Sequence, residues 1–277
     1  MAWSELGTVQ DCLDCKPPFS FYFDLIAARW KTPGGNPNPL HRICTLARKQ
    51  GAHWLVIESA LPRPEIQEDI EALDQVFGGG GAAEAVAISF LCCEERPNDI
   101  NVVSESDFLG QVVFINYRQP EHVEFTHSYV YEAVLTAPCL PGMPRKELLN
   151  NFICSDGKFP VAVGGRQFDV QGIYYCQQNS VTHVCAHASL RMGLNTVLNG
   201  AHVTNAWIND FIKVTPPIAV GLSLQNIHDV LESHAIRPMI TNCDNLSPSV
   251  YLSVLASIVE SGFGALLVFT TGTTAGN

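Results

Sequence analysis

The stretch Gln177-Gln178-Asn179-Ser180-Val181-Thr182-His183-Val184-Cys185-Ala186-His187-Ala188-Ser189-Leu190-Arg191-Met192 decides how this chain is read. Amide side chains come first, a short polar turn follows, and a cysteine then opens a helix expected to run to Asn199 and to be closed by Gly200. With Thr182 as its cap, Cys185 takes the third helical position, close to backbone N–H groups that have no partner within the helix. A thiol nucleophile needs such surroundings, because an amide can donate to an oxyanion and a helix start favours negative charge. The plainer alternative is a small core cysteine, as most free cysteines are.

Outward from this stretch the chain divides in two. Downstream, Thr204 caps a short helix over Ala206 to Ile212, and Ser223 caps a helix through His234 that turns Leu224, Ile227, Val230 and Leu231 inward. Pro238 to Ile240 reads as a short strand. Ser247-Pro248 starts a helix to about Ser261, stopped by Gly262, and Gly264 to Thr270 reads as a buried strand. Upstream, Leu40 to Gln50 and Glu65 to Phe77 have helical periodicity, with Pro62 and Pro64 ahead of the second and Gly78-Gly79-Gly80-Gly81 behind it. Those glycines read as a loop: a phosphate loop follows a strand, and here a helix comes before and the strand Ala85 to Cys92 after. Strands follow over Val112 to Tyr117, Tyr129 to Leu135, Phe159 to Val163 and Phe168 to Tyr175, the last two joined through Gly164-Gly165. The fold class is therefore α+β, with a β-rich mixed domain of unknown role over residues 1–165 and a second, helix-then-sheet domain over 166–277.

Composition excludes some functions. The 277 residues carry a net charge of −11 with no Lys/Arg cluster, which argues against nucleic acid as a partner. No run reaches the roughly 18 apolar residues of a membrane helix. Met1-Ala2-Trp3-Ser4-Glu5 lacks the basic and apolar regions of a signal peptide, and ten irregularly spaced cysteines suit reduced thiols, so a cytoplasmic location is expected. Residues 176–277 hold only eight charged side chains, so a partner, the first half of the chain or a further segment is expected to cover part of their surface.

The Cys185 stretch resembles the papain-like cysteine peptidase superfamily, nearest its phytochelatin synthase and double-glycine peptidase branches. The likeness spans about residues 170–277: Cys185 to Asn199 is similar to the helix opened by the nucleophile, Gly221-Leu222-Ser223 to the start of the next helical element, and Ser247 to Thr270 to the helix and strand that lead to the catalytic histidine. It implies a thiol hydrolase, a peptidase or isopeptidase that needs no cofactor or metal and acts on a peptide or protein substrate. Cys185 would form the acyl-enzyme and Gln178 would stabilise the oxyanion. The family's amide stands six residues before its cysteine, where this chain has Asn179. Gln178, one further back, is preferred, with Asn179 second and Gln177 third. The histidine base is expected beyond Asn277, so the chain as it stands is expected to be inactive or nearly so. The competing reading is a non-catalytic interaction module in which Cys185 packs in the core.

The remaining candidates are weaker. His183 and His187 lie four apart and share a helix face turned away from Cys185, which suits neither as its base. As a metal pair they lack the further ligands zinc requires. Cys12-Leu13-Asp14-Cys15 is half a zinc site or an isolated redox pair. Cys92 and Cys93, adjacent in a strand, point to opposite faces. His228, His234, His122 and His127 read as rim or surface residues, and His202 could approach the site from a loop.

Overall fold

Alternating β-branched and aromatic residues pair into one antiparallel sheet. The computed structural model describes residues 11–16, 18–32, 38–61, 63–136, 157–179, 181, 185–198, 202–214, 221–261 and 264–268. The strands are β1 (Asp11–Asp14), β2 (Trp54–Ser59), β3 (Ala82–Leu91), β4 (Phe108–Arg118), β5 (His127–Thr136), β6 (Lys158–Val163) and β7 (Arg166–Tyr175). Their order is β1-β2-β3-β4-β5-β7-β6, so β7 inserts between β5 and its own hairpin partner. The helices are α1 (Phe19–Ala27), α2 (Asn38–Lys49), α3 (Pro64–Val76), α4 (Cys185–Val197), α5 (Asn205–Ile212), α6 (Leu224–Ser233) and α7 (Pro248–Glu260). The fold is mixed α+β. The boundary expected between residues 165 and 166 falls in the β6–β7 turn, where Gly164 and Gly165 take positive φ, and β7 is part of the sheet.

Strand alternation gives the sheet two dressed faces. On one, Leu55, Ile57, Ile88, Phe90, Val112 and Phe114 meet Tyr22, Ile26, Leu40 and Ile43 of α1 and α2. On the other, Ala85, Ala87, Val113 and Ile115 meet Ile66, Ile70 and Leu73 of α3. Further along that second face the β6–β7 hairpin curls over, packing Phe159, Val161, Phe168 and Val170 on Leu91, Ile100 and Phe108. Close strand approach permits the curl. A Cβ on Gly172 would stand 1.8 Å from the Leu135 carbonyl oxygen, and one on Gly110 2.1 Å from that of Val134. A bulge in β5 sets which side chains reach the second face. Val113 pairs with Glu132 and Phe114 with Val130, leaving Tyr131 as the extra residue, so Tyr131 and Glu132 turn to the same side.

The second half adds α4 on β7, with α5 and α6 packed around it through Leu190, Leu194, Val203, Ile208 and Val230. Thr204 Oγ1 caps α5 by accepting from Trp207 N at 3.1 Å, and Ser223 forms a capping box with Asn226. Several expectations fail here. Pro238 to Ile240 forms no strand, and Met239 and Ile240 are exposed. Residues 264–268 form no strand and expose Leu266, Leu267 and Val268; an apolar run becomes a buried strand only beside a partner edge, and no described strand pairs with this one. The first half of the chain covers part of the charge-poor region, through β7 on α4 and α3 on α5, and leaves Met239, Ile240 and Leu266 to Val268 exposed. β3 ends at Leu91, so Cys92 and Cys93 follow the strand rather than lie within it. The proposed caps Thr182, Gly200 and Gly262, together with Pro62, lie outside the described residues.

Candidate functional site

Cys185 is the first assigned residue of α4 and is exposed, the only exposed cysteine among the described residues. The others differ in kind. Cys176, nine residues earlier, is buried with Sγ 3.4 Å from the Ala188 carbonyl oxygen, and burial pushes its thiol up to about 11. Cys15 donates to the Ala52 carbonyl at 2.9 Å; burial, then the Asp14 charge, pushes it up to about 12, which leaves Cys12-x-x-Cys15 poorly suited to bind metal as thiolates.

The three amides ahead of Cys185 have separate surroundings. Gln177 extends the sheet, its backbone N–H donating to the Val130 carbonyl at 2.9 Å and its Oε1 accepting from Val130 N at 3.1 Å. Asn179 is buried and its Oδ1 accepts from Val181 N at 3.0 Å, which fixes the turn. Gln178 is exposed and has no hydrogen-bond partner among the described residues. Of the three, it alone is open to an incoming group.

Below Cys185, α4 is held by polar side chains. His187, Arg191 and Asn195 recur every four residues on one buried stripe. His187 is fully buried, with Nε2 2.8 Å from Asn209 Oδ1 on α5 and Nδ1 without a partner. Burial holds its pKa below the ordinary histidine value; the Asn209 bond and Asp69 oppose this in part, while Arg191 adds to it. Arg191, 2 % exposed, donates from Nη2 to Tyr174 Oη at 2.9 Å and lies 4.6 Å from the Tyr131 ring centroid. Asn195 exchanges two hydrogen bonds with the Val203 backbone, at 2.7 and 3.0 Å. These bonds make α4 a fixed mount for its first residue.

The stripe continues into the sheet. Tyr174 Oη reaches Glu132 Oε2 at 3.4 Å, and Glu132 Oε1 pairs with Arg63 at 2.7 Å. Arg63 also pairs with Glu65 at 2.6 Å. Asp69 of α3 accepts from Tyr129 Oη and, at 2.7 Å, from Asn205 Nδ2 of α5. Neither Arg191 nor Glu132 was expected from the sequence as a partner of this region. The four-residue spacing of His187, Arg191 and Asn195 is the signal that was there to be read.

The histidines take other places. His187 is a core residue committed to Asn209, and His183 lies outside the described residues. His202 stands 3.8 Å from Glu65 with its side chain half exposed. Among the described residues one group, His228, Asp229 and Glu232 on α6, brings metal-type atoms within 4.8 Å of one another. It is a partly exposed surface trio.

Comparison of the chain with protein families, with curated proteins and with solved structures finds no match in any of the three. Among the described residues no helix is long and apolar enough to cross a membrane.

Proposed function

We propose that this chain is a papain-like thiol hydrolase, a peptidase or isopeptidase, in which Cys185 attacks a carbonyl and carries the acyl group. The observation that carries the reading is the exposed thiol at the head of a helix whose remaining length is anchored by buried hydrogen bonds. A nucleophile must be both reachable and held in place. Gln178 and the Cys185 N–H are the proposed oxyanion donors, and the exposure of Gln178 supports its choice over Gln177 and Asn179. Among the described residues no imidazole bonds to Cys185 Sγ, and we assign the general base to a group outside them. The reading divides the chain into a β-rich region and a thiol-bearing region that begins near β7.

The test is acylation by an activated nitrophenyl ester, which requires little help from a base. The expected result is a burst of nitrophenol stoichiometric with protein, with the adduct mapped to Cys185, lost in Cys185→Ala and slowed about 10-fold or more in Gln178→Ala. A burst that survives in Cys185→Ala, or an adduct spread over several thiols, would sink the proposal. Exposed Met239, Ile240, Leu252, Leu266, Leu267 and Val268 support the second reading, a protein-interaction module, although Cys185 is exposed and does not pack in the core as that reading expected. That reading expects no burst from correctly folded protein.

A further inference from the structure

A cavity of about 310 Å³ lies on the second face of the sheet, between the N-terminal end of α3, the curled β6–β7 hairpin and α4. Its size is at the small end of the range for small-molecule sites. Ala87, Val113, Val134, Phe159 and Val161 supply an apolar wall. Lys158 and His202 are exposed lining residues and mark its rim.

The polar groups inside are unevenly matched. Gln111 is only 6 % exposed; its Nε2 donates to Ser89 Oγ at 2.9 Å and to the Ala162 carbonyl at 3.3 Å, which fixes the amide orientation. Its Oε1 has no partner among the described residues. Glu132, 9 % exposed, has Oε1 on Arg63 and only the long Tyr174 contact on Oε2. Arg63 is shared by Glu65 and Glu132, one guanidinium between two carboxylates, and Glu58, also in the lining, accepts from Gly164 N at 3.1 Å. Two inner donors are engaged, Asn195 Nδ2 on the Val203 carbonyl and the Tyr174 O–H on Glu132 Oε2, and the Lys158 ammonium stands at the exposed rim. What the cavity offers inside is acceptor oxygen beside an apolar wall, with two carboxylates sharing one guanidinium and Lys158 as a second cation at the rim. The β5 bulge is what delivers Glu132 there, because unbroken alternation would turn it to the opposite face from Tyr131.

We infer that this cavity is a binding site for a small aliphatic amine or guanidine, its cationic head on Glu132 and Gln111 Oε1 and its alkyl stem along Val113, Val134 and Phe159. The site is separate from Cys185, which stands ten residues from Asn195 along α4, about 15 Å by helical rise. It does not rest on the proposed thiol chemistry.

Isothermal titration calorimetry on the full chain with n-butylamine, with 1-butanol and butyrate as neutral and anionic controls, tests this. Saturable binding of the amine is expected, with butanol and butyrate at least about 10-fold weaker, since a charge-assisted hydrogen bond is lost with either. Glu132→Gln should weaken the amine about 10-fold or more. Because that variant also disturbs Arg63, a second one fills the space without altering charge: Ala87→Leu should abolish binding in protein whose circular dichroism is unchanged. Failure of the folded wild-type chain to bind the amine, equal or tighter binding of butyrate, or amine binding untouched by Ala87→Leu would each overturn the inference.

Discussion

His187 makes the stability of the α4–α5 pair depend on pH in a way that can be isolated. Its Nε2–H donates to Asn209 Oδ1, so the second proton would have to enter at Nδ1, a buried atom with no partner and with Arg191 one turn away. The folded imidazole therefore resists protonation, and its pKa is lowered from 6.5 first by burial. Below the unfolded value the unfolded chain binds the proton that the folded chain refuses. The stabilisation is complete above about pH 6.5 and falls as the pH drops towards the folded pKa. Each pH unit over which the folded ring stays neutral costs about 1.4 kcal/mol, so between about pH 6.5 and about pH 5 the loss is at most about 2 kcal/mol. Urea unfolding followed by circular dichroism, at about pH 7.5 and about pH 5, measures it for the wild type and for His187→Gln, which keeps an amide donor for Asn209 and cannot titrate. His41 and His127, whose pKa values burial also lowers, are present in both proteins and cancel. The wild type should lose more stability than the variant on acidification. Equal losses in the two proteins would show that His187 is neither buried nor uncharged as described.

Two further predictions concern the frame. Gly172→Ala forces a Cβ against the Leu135 backbone, where neither strand can yield, and should cost about 3 kcal/mol or more, whereas Gly165→Ala, at a positive φ with nothing within 4 Å, should cost about 1 kcal/mol; similar urea midpoints for the two would contradict the close packing of β5 on β7. Thr204→Ala removes the cap on Trp207 N and should lower unfolding stability by about 1 kcal/mol, while Thr204→Ser should restore most of it.

Much of the frame is legible in the sequence wherever one rule acts alone. Pro64 at the start of α3, Thr204 and Ser223 as caps, and Gly164-Gly165 between β6 and β7 stand where local chemistry puts them. α1, β1 and β2 carry weaker sequence signals. β1 is only four residues long, and β2, Trp54-Leu-Val-Ile-Glu-Ser, is a short apolar run without a strict period of two. The β5 bulge is invisible for a related reason: it puts two successive residues on one face, and only pairing with β4 reveals which two. Residues 264–268 are apolar and yet exposed, because burial requires a surface to pack on as well as hydrophobicity. At the thiol, the place of Cys185 near the start of a helix was readable. The mates of the polar stripe, Tyr174, Asn209 and Glu132, come from strands and helices that only the tertiary fold brings to α4.

The strand order β5-β7-β6 also bears on how the chain is made. During synthesis β1 to β5 can pair in the order in which they leave the ribosome, each on the edge of the one before. β6 emerges next and has no place to go, because the strand that will separate it from β5 is still to come. The outer edge of β5, lined by Ala133 to Thr136, stays unpaired until Tyr175 has been added and the β6–β7 hairpin docks as a unit. Through that interval a strand edge stays open to neighbouring chains, and slowing translation between Thr136 and Tyr175 should raise the aggregated fraction above that of unslowed synthesis.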